Sequence, residues 1–139
     1  MERIIAIKKQ LGVLFKHGKD ELLTEYDIDV IDDILSVYDG QGKSFHYDKN
    51  NVLSQSVQET LFNEKRTIIE NCLFGVDLNS KAVAICQLRL WIELLKNAYY
   101  KNEVMETLPN IDINIKSGNS LINKLNFAIG SKIGQGGVE

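Results

Sequence analysis

The sequence predicts an α/β fold, an open sheet in which a central strand and an edge strand are separated by a long helix. Three observations lead there. Residues 72–77, CLFGVD, form a short apolar run closed by Asp77, which reads as a buried strand with a carboxylate at its tip. Asn79-Ser80-Lys81 then opens a helical pattern, with Asn79 as N-cap, Val83, Cys86, Leu90 and Leu94 on one side and Ile85, Leu88, Ile92 and Leu95 on another. Behind Pro109, Ile111, Ile113 and Ile115 alternate with Asp112, Asn114 and Lys116, the period of a strand with one wetter face, suited to a sheet edge.

The other elements follow in chain order. Ile4, Ile7, Leu11, Leu14 and Phe15 recur at helical spacing, so residues 2–17 read as an amphipathic helix. No capping residue precedes it, which reads as a helix whose approach has been cut away. From Tyr26 to Tyr47, β-branched and aromatic residues surround Asp39-Gly40, the pattern of a β-hairpin inserted into the main fold. Ser56-Val57-Gln58-Glu59 fits a capping box and starts a helix over about residues 55–70. The long helix after Asn79 is apolar around most of its circumference, with Arg89, Glu93 and Lys96 as its polar line, so it should pack between the sheet and further protein. The sequence divides into one domain over residues 1–127 and a flexible, Gly-rich tail over 128–139.

Composition bounds the function classes. The chain has 139 residues, 44% hydrophobic and 25% charged, with a net charge of −3, the profile of a soluble globular domain with no global attraction for phosphate backbones. Its N-terminus intersperses charges through the apolar positions, unlike a signal peptide, and a cytoplasmic location is expected, with no membrane partner. Cys72 and Cys86 lack the spacing of a zinc site and read as small buried thiols. His17 and His46 stand near no nucleophile and read as structural or solvent-facing. Gly134, Gly136 and Gly137 do not lie between a strand and a helix, so they fail the context of a dinucleotide fingerprint, and a nicotinamide-dependent oxidoreductase is disfavoured.

Asp77 is the leading candidate for chemistry. An ionised carboxylate at a strand tip accepts two hydrogen bonds at once and holds ribose hydroxyls in nucleotide-binding sheets. The plainer reading, an acid that favours a helix N-terminus, stands beside it on equal terms. Asn119 could meet the amino and ring nitrogens of an adenine or merely close a turn. Leu78 and Leu121 could flank a base or belong to the core. Trp91, Tyr99 and Tyr100, near the end of the long helix, read as packing or interface residues rather than a base-stacking platform.

Three stretches, GVDLN at residues 75–79, AVAICQLRLW at 82–91 and LPNIDINIKSGNSLI at 108–122, resemble the cofactor-binding core of gamma-class adenine-specific (N6) DNA methyltransferases, especially those of type II restriction-modification enzymes. The resemblance implies a partial Rossmann-like S-adenosylmethionine-dependent methyltransferase fold with a β-hairpin insertion. It implies that Asp77 holds the ribose hydroxyls of S-adenosylmethionine, that Leu78 packs on its adenine, and that Asn119, followed by Ser120, meets the adenine edge. Ser80 stands where the family usually has proline.

Two departures shape the expectation. The family's glycine-rich loop, which wraps the methionine part of the cofactor, has no counterpart here, nor has the Asn-Pro-Pro-Tyr motif that holds the extruded adenine. The chain therefore reads as a fragment lying between those motifs, inactive alone and binding S-adenosylmethionine weakly or not at all. DNA would be met through the full-length enzyme. The central strand, without the first strand of its family beside it, is expected to have an open edge through which copies could associate. The rival reading is a non-catalytic interaction module that keeps the half-fold.

Overall fold

The structure, a computed structural model, describes residues 1–106 and 114–120. Its elements run α1 (Glu2–Gln10), β1 (Tyr26–Ile31), β2 (Ile34–Asp39), α2 (Val52–Cys72), β3 (Gly75–Asp77), α3 (Ser80–Leu95), β4 (Tyr100–Lys101), β5 (Val104–Met105) and β6 (Ile115–Ser117). The architecture is mixed α/β, with three two-stranded sheets among the described residues: antiparallel β1–β2, parallel β3–β6 and antiparallel β4–β5.

The first helix is shorter than the expected 2–17. Gly12, at φ +66°, takes the left-handed turn that ends it. Gly12 N–H bonds the Lys9 carbonyl at 3.0 Å and Val13 N–H the Lys8 carbonyl at 2.9 Å, which is a Schellman motif. Apolar periodicity continued past the stop, because Leu14 enters the core from the following loop, where Phe15 bridges Leu22. Met1, at the N-cap position, makes no side-chain cap bond.

The hairpin forms, with a different turn from the one expected. Ile31 pairs directly with Ile34, so Asp32 and Asp33 are the loop, at φ 51° and 60°. A two-residue loop with both φ positive matches the strand twist, and Asp tolerates that region better than most residues. Asp39-Gly40 lies in the next turn, where the Asp39 carboxylate accepts from the Gln41 and Lys43 N–H groups.

The second helix begins at Asn51, ahead of the expected capping box. Asn51 Oδ1 accepts from Leu53 and Ser54 N–H at 2.9 and 3.2 Å. Ser56 falls inside the helix, where its carbonyl accepts the Thr60 hydroxyl. At its far end α2 runs through Cys72, so the strand expected over 72–77 is only Gly75–Asp77. A helix frays late when a side chain satisfies its last carbonyls. Asn114 does so, its Nδ2 donating to the Ile69 and Glu70 carbonyls at 2.8 and 2.7 Å.

Two apolar clusters share α2. Ile5, Leu14, Leu23, Ile28, Val37, Val57, Leu61 and Ile68 join α1 and the hairpin to one side of it, so the inserted hairpin is integral to a core. Phe62, Ile69, Val83, Leu94, Tyr99 and Ile115 join α3 and β6 to the other. The Tyr99 ring meets Phe62 edge-on at 5.4 Å. Tyr99 and Tyr100 lie beyond α3; Tyr100 opens the β4–β5 hairpin, which the sequence pattern did not reveal.

No helix among the described residues is long and apolar enough to cross a membrane. The expected strand start at Pro109, with Ile111 and Ile113, and the tail 128–139 lie outside the described residues, as do Leu121 and Ile122.

Candidate functional site

Backbone pairing builds the site. β3 and β6 run parallel with Gly75, Val76 and Asp77 opposite Ile115, Lys116 and Ser117. Gly75 N–H donates to the Asn114 carbonyl and Gly118 N–H to the Asp77 carbonyl, each at 2.9 Å. Parallel strands need a crossover connection, which α3 supplies on the face where Gly75 and Ile115 lie. Gln87, on α3, donates to the Ile115 carbonyl at 3.0 Å and ties the crossover to β6.

This arrangement brings Asp77 and Leu78 to the same end of the sheet as Asn119 and Ser120, all four exposed. Asp77 Oδ1 accepts the Asn79 N–H at 2.7 Å, and Asn79 Oδ1 in turn accepts the Lys81 and Ala82 N–H groups at 3.0 and 3.4 Å. The acid is thus held on the turn that starts α3, and its Oδ2 has no partner among the described residues. Asn79 caps α3 as its sequence position implied. Between β3 and α3 lies a largely apolar cleft of about 390 Å³, with Phe74, Asp77, Val83, Leu90 and Ile115 among its walls. Cys72 and Cys86 also line it and are exposed, so the expectation of buried thiols fails. Both sit where apolar residues would face a neighbouring layer, and among the described residues no such layer covers them.

The same uncovering corrects the reading of β3 as a buried strand. Phe74, Val76 and Leu78 are 71%, 52% and 75% exposed. They share the parity of Val76, whose side chain projects from the face opposite Ile115. The apolar composition of the run suits burial on both faces, and among the described residues only one of its faces is covered.

The strongest electrostatic feature lies away from this end. Lys65, only 2% exposed, donates to Glu93 Oε1 at 2.6 Å and pairs with Glu2 at 3.4 Å, joining α2 to α3 and α1. Lys96 takes the other Glu93 oxygen at 2.6 Å. Desolvation raises the Glu93 carboxyl, but hydrogen bonds from Lys65 and Lys96 outweigh it and hold the group at about 2. The Arg89-Glu93-Lys96 line is therefore only partly a wet stripe. A lysine in an amphipathic helix looks solvent-facing in sequence, so Lys65 carried no signal there. Asn114 was likewise legible only as the polar half of an alternation. His17 and His46 are exposed; the His17 backbone N–H donates to the Thr60 hydroxyl. Among the described residues no group of His, Cys, Asp and Glu could hold a metal ion.

Comparison with known proteins gives a likeness over part of the chain. Over 66 residues the chain is 46% identical to a protein of Methanocaldococcus jannaschii that carries the provisional name of a type II restriction enzyme and methyltransferase. The chain is similar to a restriction-modification methyltransferase. The matched segment is 45% of this chain and 5% of that relative's length. No family model matches the chain. No solved structure matches it either, so the mixed α/β architecture stands on its own elements.

Proposed function

We propose that this chain is a segment of a site-specific DNA (adenine-N6) methyltransferase of a restriction-modification system, carrying the ribose and adenine side of an S-adenosylmethionine pocket. The observation that carries the reading is the β3–β6 pairing, which joins Asp77 to the Gly118-Asn119-Ser120 turn at one end of a parallel sheet. That end of an open α/β sheet is where such ligands bind. In this reading the Asp77 carboxylate, fixed by Asn79 N–H, offers Oδ2 to a ribose hydroxyl. Leu78 packs on the adenine ring, and Asn119 with Ser120 meets the adenine edge.

S-adenosylmethionine supplies an electrophilic methyl group on its sulfonium sulfur. The residues of this chain orient the nucleoside half and do not touch the reacting atoms. Transfer to the exocyclic nitrogen of an adenine swung out of the duplex depends on segments that hold the methionine half and the target base. Two features support a segment of a larger body: the exposed β3 face at Phe74, Val76 and Leu78, and the apolar cleft beside it. Sheets of this class are covered on both faces. DNA is met elsewhere in the complete enzyme, since the chain carries a net charge of −3.

A chimera tests the reading. The whole of this chain is put in place of the matching region of the Methanocaldococcus jannaschii relative, and labelled methyl transfer to DNA is measured. Transfer to adenine is expected, with cofactor binding lost on Asp77→Ala. A folded chimera that modifies cytosine, or that binds the cofactor equally well with Asp77→Ala, overturns the proposal.

A further inference from the structure

Helix α3 has a second apolar side that the described fold leaves uncovered. Val83 and Leu94 are buried, while Ile85, Leu88, Ile92 and Leu95 are each about half exposed. The spacing of these four is 3, 4 and 3 residues, so they form the a and d positions of a heptad seam, with isoleucine at both a positions and leucine at both d positions. That choice of side chains favours two parallel strands over higher oligomers, because a β-branched residue at a and leucine at d fit the holes of a parallel pair.

The flanking charges select the same arrangement. Arg89 and Lys96 occupy the e positions, while Ala84 and Trp91 occupy g. An antiparallel pair would set the two cations of one helix against those of the other. A parallel pair sets Arg89 against Ala84 and Lys96 against Trp91, with no like charges opposed. Lys96 is already held by Glu93 at 2.6 Å, which directs its ammonium off the seam and leaves the aliphatic stem beside it.

We infer that a second copy of this chain covers the outer face of α3, the two helices pairing in parallel through Ile85, Leu88, Ile92 and Leu95. The inference rests on the side chains of α3 and uses neither Asp77 nor the cofactor pocket. It also differs from association through the edge of β3. Gly75 and Asp77 direct their backbone groups to β6, so only Val76 presents N–H and C=O to the open side. One residue offers too short a ladder to hold two copies.

The four side chains per copy make a small interface, so the dimer is concentration-dependent. Sedimentation over a concentration series is expected to show a monomer–dimer equilibrium. Leu88→Glu with Ile92→Glu should abolish the dimer, and Val76→Pro, which removes the edge N–H, should leave it intact. Both variants should keep the wild-type helical circular dichroism. With Cys72 and Cys86 changed to serine, Leu95→Cys should oxidise to a disulfide between copies, since only parallel pairing brings that position against itself. A strictly monomeric chain, a dimer lost with Val76→Pro but retained in the double glutamate variant, or a dimer without the Leu95→Cys cross-link overturns the inference.

Discussion

Gly118 N–H donates to the Asp77 carbonyl at 2.9 Å, so the backbone of one short motif is bonded to the backbone of the other across forty residues of sequence. Asp77 and Gly118 are consequently positioned by the ladder itself, with Asn119 one residue beyond it. Asp77→Asn keeps an acceptor for the Asn79 N–H while removing the charge and the second acceptor. In the chimera described above, S-adenosylmethionine affinity is expected to fall by roughly 30–150-fold, the loss of about 2–3 kcal/mol from a charge-assisted hydrogen bond. Calorimetric titration measures it, and unaltered affinity would remove Asp77 from the pocket.

Asn114 ties three elements together, with its Nδ2 on the Ile69 and Glu70 carbonyls and its own carbonyl on Gly75 N–H. Asn114→Leu leaves the last turn of α2 without those donors. Urea unfolding should show a loss of about 2 kcal/mol. Removing the α3 cap with Asn79→Ala should cost about 1 kcal/mol.

The Lys65–Glu93 pair makes stability sensitive to acid. Glu93 titrates at about 2 in the folded chain against an ordinary 4.5. Its contribution is therefore complete above about pH 4.5 and is lost as the pH falls towards 2. After solvent screening this amounts to about 1–2 kcal/mol. Lys65→Ala should cost about 3 kcal/mol, because it strips a buried partner from Glu93. Lys65→Met combined with Glu93→Leu should recover most of that loss and flatten the acid limb of a thermal-unfolding series. An acid limb of unchanged slope in the double variant would assign the sensitivity to other carboxylates.

At the hairpin tip, Asp32 and Asp33 both hold positive φ. Asp32→Asn with Asp33→Gly should stabilise the chain by about 0.5–1 kcal/mol, since Asn-Gly is the preferred pair for such a loop. The ion pair of Asp33 with Arg3 is almost fully exposed on both sides, and its loss should offset little. A lower melting temperature would contradict this account of the turn.

Much of the site was legible because its signals are local. Asp77 at a strand tip and Asn79 as the α3 cap follow from a side chain and the next few residues, and a strand through Ile115 beside β3 was legible as an edge beside a central strand. The misreadings concern element boundaries. Leu14 continues the periodicity of α1 from a loop, because it is buried against other elements. Cys72 looks like the start of a strand while ending a helix, and its exposed apolar side chain gives no sign of where α2 stops.

Local chemistry alone determined the three helices, the hairpin, the α3 cap and the acid at the end of β3, since each depends on neighbours within a turn or a strand. Tertiary structure decided what those residues meet. It buried Lys65 against Glu93, capped α2 with a side chain from β6's approach, and left Phe74, Val76 and the outer stripe of α3 uncovered among the described residues. Apolar composition records that a surface is suited to burial; only the packing of distant segments determines whether anything covers it.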